Sequence, residues 1–173
     1  MSAEARSVHP LIRPLSWGDL DRIMEIELAA YPVPWTRGIF ADCIRVGYDC
    51  RGLQLGPRLI GYSIQTDAAG EAHLLNLCVA PEWQGRGYGG MLLENAIRIA
   101  HRHDCRRMFL EVRPSNPAGI ALYTKRGFAV IARRPGYYSV SAAGANQADS
   151  AGGEAAPAAR EDALVMQLDL STP

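Results

Sequence analysis

No apolar run in this 173-residue chain approaches the ~20 residues that a membrane-spanning helix requires. Its first residues, Met1-Ser2-Ala3-Glu4-Ala5-Arg6, lack the apolar centre of a secretory leader. A cytoplasmic location with no membrane partner is therefore expected. Net charge is also missing: 18 Lys and Arg offset 18 Asp and Glu. Nothing in that balance favours a nucleic-acid backbone, so no direct nucleic-acid partner is expected. Cysteine is sparse, and Cys43, Cys50, Cys78 and Cys105 form no C-x-x-C pair and no common zinc spacing. The cluster His101-x-His103-Asp104-Cys105 has metal-binding residue types, but it falls where a helix should end, and imidazoles beside the last carbonyls are favourable there. No metal is expected. No internal repeat is found either. What remains is 48% apolar residues, enough for one globular domain spanning 1–173, most simply a monomer.

The most informative stretch is 76–94. An apolar strand, His73 to Val79, stops at Ala80-Pro81, a polar connection follows, and Gln84-Gly85-Arg86-Gly87-Tyr88-Gly89-Gly90 leads into a helix. Glycines at a strand-to-helix turn let bare backbone approach a ligand. The first turn of the helix adds unpaired N–H groups and the positive end of its dipole. Together they make a cradle for a pyrophosphate. A Walker A loop is excluded, because Met91-Leu92 follows the last glycine instead of Lys-Ser/Thr. Gly85, Gly87 and Gly90 match G-x-G-x-x-G formally, with Glu111 about 20 residues on, but Pro81-Glu82-Trp83-Gln84 separates strand from glycine where a dinucleotide fold runs straight in. The pattern Q/R-x-x-G-x-G/A, filled by Gln84, Gly87 and Gly89, fits without gaps. So does V-x-P-x-x-Q, filled by Val79, Pro81 and Gln84. This segment resembles the acetyl-CoA loop of the GNAT acetyltransferases.

Periodicity supplies the frame. A strand is expected over 8–15, with N-cap candidates at Ser16 and Asp19. A helix to Ala30 follows, with Leu20, Ile23, Met24 and Leu28 at helical spacing. Tyr31-Pro32-Val33-Pro34-Trp35 breaks it, and Thr36 caps a second helix to about Arg45. Strands 47–55 and 58–66 form a hairpin around Gly56-Pro57, and 71–79 follows a turn. The helix from Gly87 to His103 buries Leu92, Leu93, Ala96, Ile97 and Ala100. A strand at 106–113 puts Met108, Leu110 and Val112 on one face. A helix from Ala118 to Arg126 closes at Gly127, and a strand from Phe128 reaches toward Tyr138. Residues 141–160 are rich in Ala, Gly, Ser and Pro, too poor in large apolar groups to repay ordering, and read as a flexible insertion before a last strand at 163–168. The order β-α-α-β-β-β-α-β-α-β-β implies an α/β fold, a central mixed sheet with helices on both faces.

Further segments sharpen the resemblance. Leu110-Glu111-Val112-Arg113-Pro114-Ser115-Asn116, Leu122-Tyr123 and Gly127-Phe128 are similar to the L-E-V-R-x-S-N…L-Y…G-F signature of RimI-type enzymes. Tyr31 to Thr36, Arg133-Arg134-Pro135-Gly136-Tyr137-Tyr138 and Arg160 to Met166 resemble their F-P-W-S, R-x-x-Y-Y and R-E-D-A-x-x-M segments. The likeness spans about residues 10–170 and implies the GNAT fold, acetyl-CoA as co-substrate, and acetylation of the N-terminal alanine of a small-subunit ribosomal protein. Two departures stand out: the insertion between Tyr138 and Arg160, and the loop itself, where Arg86 and Gly90 replace a common Gln and Arg.

The chemistry needs a base, because a peptide α-amine with a pKa of about 7.7–8.0 is largely protonated at neutral pH. The resemblance assigns that role to Glu111, where desolvation on an apolar strand would raise its pKa. A Glu paired with Arg107 or Arg113 at the strand end is the structural alternative. Tyr123 takes the general-acid position for the leaving thiolate, against packing on the sheet. Asn116 either touches the pantetheine arm or caps the next helix. Backbone at Leu77, Cys78 and Val79 is expected to bind pantetheine as a pseudo-strand, with a backbone N–H near Val79 facing the oxyanion where strands 71–79 and 106–113 splay. Gly85, Arg86, Gly87, Tyr88, Gly89 and Gly90 hold the pyrophosphate. Trp35, Tyr137 and Tyr138 shape the substrate pocket. Cys78 as an acyl-carrying nucleophile is a competing route. Competing functions are acetylation of a lysine side chain, a polyamine or a small amine, and non-catalytic CoA sensing.

Overall fold

A chain whose apolar positions alternate between period 2 and period 3.6 must stack helices on a sheet. The computed structural model, which describes residues 9–139 and 160–171, does so in the expected order. β1 (Pro10–Pro14) is followed by α1 (Leu20–Ala30), α2 (Arg37–Arg45), β2 (Asp49–Leu55), β3 (Arg58–Ala68) and β4 (Glu71–Val79). Then come α3 (Tyr88–Arg102), β5 (Arg107–Val112), α4 (Pro117–Lys125), β6 (Ala129–Ser139) and β7 (Arg160–Asp169). The seven strands lie in the order β1-β2-β3-β4-β5-β7-β6. All neighbours are antiparallel except β4 and β5. A parallel pair needs a crossover, and α3 supplies it.

Alternation on the central strands sends side chains to two layers. Tyr62, Ile64 and Cys78 pack with Leu20, Ile23 and Ile26 of α1 and Phe40 of α2. Met108, Leu110 and Val112 pack on the other face with Leu93, Ala96 and Ala100 of α3. Residue 61 is glycine because β4 and α3 both crowd it: a Cβ there would stand 2.8 Å from the Cys78 carbonyl oxygen of β4 and 3.2 Å from Leu92 of α3.

The helix ends follow their sequence signals. The Thr36 hydroxyl accepts from the Ile39 N–H at 3.3 Å. α3 begins after Gly87 and ends at His103, whose Nδ1 lies 2.9 Å from an Asp67 carboxylate oxygen. The first helix differs from expectation. Leu28 is 61% exposed, while Ile26 and Glu27 are buried in its place. In α3, Ile99 is buried and Ile97 only partly so. The last hairpin pairs to its end, with Ser139 opposite Arg160, so Arg160 belongs to β7 and not to the preceding segment. The flexible loop expected at 141–160 otherwise lies outside the described residues.

Candidate active site

β4 and β5 pair from Glu71/Arg107 to Leu74/Leu110 and then separate. The gap continues past Leu77–Val79 on one side and Glu111–Val112 on the other. Ala80 N–H donates to Ile60 across the ladder to β3 at 2.8 Å. Backbone groups alternate along a strand, so Cys78, like Ala80, aims its backbone at β3, while Leu77 and Val79 aim theirs into the gap. Leu77 and Val79 thus carry the backbone groups that face the gap, while the Cys78 backbone pairs with Tyr62 of β3. Two carbonyls in the gap have donors already, Leu77 from the Tyr31 hydroxyl at 3.0 Å and Val79 from the Gln84 amide at 2.9 Å. That last bond is what Gln84 does: it ties the glycine loop to the end of β4.

Gly85 and Gly87 have φ of 73° and 85°, a region open to glycine at little cost. A Cβ at either position would meet nothing within 4 Å. Gly87 is the N-cap of α3 and offers no side chain to its first-turn N–H groups, which leaves those donors for an anion. Tyr88, Gly89 and Gly90 form that turn. Arg86 is turned elsewhere: its guanidinium sits 4.9 Å from the Trp83 ring centroid and bonds the Glu82 carbonyl.

A cleft of about 970 Å³ opens beside the strand gap, and Glu111, Tyr123, Asn116, Trp35, Tyr137 and Tyr138 all line it. Glu111 is paired, but with neither arginine expected. Arg134 of β6 stands 2.9 Å away, while Arg107 and Arg113 bind Glu71 and Glu161. The Tyr137 ring centroid lies 5.7 Å from the Arg134 guanidinium, and the nearby Glu111 carboxylate raises the Tyr137 pKa. Tyr138 packs edge-on to Tyr137 and lies 4.1 Å below the Arg113 guanidinium. Burial, with Glu111 nearby, pushes its phenol up to about 12.

Tyr123 is buried at the cleft wall, its ring edge-on to Phe128. Burial holds its phenol well above the ordinary tyrosine value. Asn116 caps α4, its Oδ1 accepting from Gly119 N–H at 2.9 Å, and it lines the cleft as well.

A glycine cradle at a strand-to-helix turn, beside two splayed parallel strands, fits one large family. A model of the "Acetyltransferase (GNAT) family" matches residues 20–128. The chain belongs to the GNAT acetyltransferase family. It is 32% identical to the ribosomal protein bS18-alanine N-acetyltransferase of Salmonella typhimurium, over 91% of this chain and 95% of that one. The likeness to the Escherichia coli K12 enzyme of the same name is 31%, over 92% and 97%. The crystal structure of the ribosomal-protein-S18-alanine N-acetyltransferase from Escherichia coli superposes with a TM-score of 0.80 at 30% identity, covering 95% of this chain and 96% of that one. A Bacillus subtilis acetyltransferase in complex with CoA shares the fold, with a TM-score of 0.67 at 19% identity, covering 94% of this chain and 99% of that one.

Sequence patterns missed part of the acetyltransferase's cleft. Glu27 is 1% exposed at its base. It accepts from the Trp35 N–H at 2.8 Å, from Asn76 at 3.4 Å and from the Tyr62 hydroxyl. It thereby fixes the chain at Trp35, whose ring packs on Phe40. A lone Glu inside an amphipathic helix carries no signal of burial. Cys78 lies beside this network, and burial followed by the Glu27 charge pushes its thiol up to about 12. That disfavours the thiolate which an acyl-carrying cysteine needs.

Proposed function

We propose that this acetyltransferase moves the acetyl group of acetyl-CoA to the N-terminal α-amine of an alanine-initiated protein, a small-subunit ribosomal protein, and that residues 1–173 act as one domain in the cytoplasm. The observation that carries this reading is the arrangement of the parts. The Glu111 carboxylate, the Tyr123 ring and Leu77 of the strand gap line one cleft, and the open glycine cradle follows the end of the same β4 at the start of α3. The near full-length likeness to enzymes named for bS18 alanine supplies the substrate. No metal enters the chemistry.

Residues at each end have separate tasks. Backbone N–H groups of the first turn of α3 bind the pyrophosphate, and Gly85 and Gly87 let it approach. Pantetheine adds beside β4 through Leu77 and Val79. The Val79 N–H stabilises the developing oxyanion as the amine attacks the thioester carbonyl. Glu111 accepts the proton of the amine, directly or through water. Arg134, more than half exposed, leaves the carboxylate as the substrate's ammonium arrives, one cation replacing another. Tyr123, kept protonated by burial, gives its proton to the departing thiolate. Trp35, Tyr137 and Tyr138 wall the space for the first residue of the substrate. Asn116 acts by capping α4, which holds Tyr123.

Acetyl-CoA turnover with an Ala-initiated peptide, compared with an N-terminally blocked lysine peptide and with spermidine, tests the assignment. Turnover at least tenfold faster on the Ala-initiated peptide is expected. Preference for either other amine would overturn it, and CoA binding with no turnover on any amine would point to a sensor.

A further inference from the structure

A guanidinium beside the backbone cradle would add charge to its hold on a phosphate, and the loop's own arginine is engaged with its neighbours in the loop. Arg86 lies over Trp83 and bonds the Glu82 carbonyl. A different arginine reaches the first turn of α3. Leu122 and Arg126 lie four residues apart, so they point along one side of α4 and its end. That side lies against the two bare glycines of α3. Leu122 comes within 3.4 Å of where a Gly89 Cβ would stand, and Arg126 Nη2 within 3.5 Å of the corresponding point on Gly90. The absence of side chains at 89 and 90 lets the guanidinium lie against the helix start. Its other nitrogen, Nη1, bonds Glu94 one turn further along at 3.2 Å. Glu94 therefore holds Arg126 against the side of α3, one turn from the cradle, without burying it, since Arg126 remains 36% exposed.

We infer that Arg126 is a phosphate-binding residue of the CoA site, reaching from the end of α4 over Gly90 to the anionic end of the co-substrate. Its guanidinium exchanges part of its pairing with Glu94 for a charge-assisted contact to a phosphate oxygen. The two sources of that oxygen are the pyrophosphate and the 3′-phosphate of the ribose. This inference rests on the acetyl-CoA reading above.

The test is calorimetric titration of wild type, Arg126→Gln, Arg126→Lys and Glu94→Gln with CoA and with 3′-dephospho-CoA at low and high salt. Wild type that binds neither would overturn the acetyl-CoA reading itself. Given binding, Arg126→Gln should weaken CoA by about tenfold or more at low salt, the scale of one hydrogen bond to a charged group, and by less at high salt. Arg126→Lys should retain part of the affinity, and Glu94→Gln should not weaken it. An equal loss on both ligands assigns the contact to the pyrophosphate, and a loss on CoA alone assigns it to the 3′-phosphate. An Arg126→Gln protein with unchanged Tm that binds CoA within twofold of wild type would overturn the inference while leaving the cradle intact.

Discussion

Arg134 on β6 holds the Glu111 carboxylate of β5 at 2.9 Å across the cleft. The two strands are not neighbours in the sheet, because β7 runs between them. The pair therefore reaches over β7, and the Tyr137 ring centroid lies 5.7 Å from the Arg134 guanidinium. An exposed ion pair of this kind contributes little stability, so its value lies in keeping the carboxylate in place. Glu111→Gln keeps the shape and removes the proposed base. Turnover should fall by about 10²–10⁴-fold with CoA affinity kept, and the deficit should shrink as pH rises past the amine pKa. Rate profiles from pH 6 to 10 check this. A pH-independent loss of a few-fold would make Glu111 a structural partner of Arg134.

Tyr123→Phe removes the proposed acid and leaves the ring on Phe128. A fall in kcat of about 10²-fold is expected, at the lower end of general acid catalysis, with little change in Tm. Burial raises the phenol pKa, so the wild-type rate should show no alkaline loss below the ordinary tyrosine pKa of about 10. An alkaline midpoint near 8 that disappears in the phenylalanine variant would contradict a raised pKa.

Much of this site was legible because its chemistry is local in sequence. The cradle is one run of residues from Gln84 to Gly90, and Glu111, Asn116 and Tyr123 fall within 13 residues of one another. The order of strands and helices followed from periodicity for the same reason. The partner of Glu111 was not legible, because Arg134 arrives from a strand two places away and nothing in the spacing distinguishes it from Arg107 or Arg113. Glu27 escaped for a related reason. Its burial depends on Tyr62, Asn76 and the Trp35 N–H, groups 8 to 49 residues distant. The orientation of Cys78 required the ladder phase between β3 and β4, which a one-residue slip would reverse.

Cys78 should prove inert. With its thiol pushed up to about 12, very little thiolate exists at pH 8. Cys78→Ala should keep kcat within about threefold and lose roughly 1 kcal/mol of stability. Mass spectrometry of the native protein after iodoacetamide at pH 8 should find Cys78 unmodified. Trapping of an acetyl group on this cysteine would restore the covalent route.

Stability in acid should depend on Asp19. Arg13, followed by the Ser16 hydrogen bonds, lowers its pKa to about 2. A carboxylate whose folded pKa is depressed stabilises the protein above its unfolded pKa, about 3.9, and loses that contribution as pH falls through about 2. Asp19→Asn should therefore cost about 1–2 kcal/mol at pH 7 and much less near pH 2. Urea midpoints of both proteins between pH 7 and pH 2 measure the convergence. A constant difference across that range would mean that packing, not charge, supplies the effect.

The sharpest test of the cradle uses two glycines with the same backbone and different surroundings. Gly87 and Gly47 have φ of 85° and 82°, and a Cβ at either would meet nothing within 4 Å. Valine is unfavourable in this left-handed region, so each substitution carries a similar backbone cost of about 1–2 kcal/mol. The difference is place: Gly47 follows α2, whereas Gly87 is the N-cap of α3. The open space at Gly87 is where the proposed mode puts the pyrophosphate, against the first-turn N–H groups. Gly87→Val should weaken CoA binding by at least tenfold, and Gly47→Val should leave it within about twofold, with matched losses in Tm. Calorimetric titration of CoA into both folded variants gives the comparison. Equal affinities would show that the phosphates bind elsewhere, and equal large losses would show that CoA binding follows global stability and not this turn.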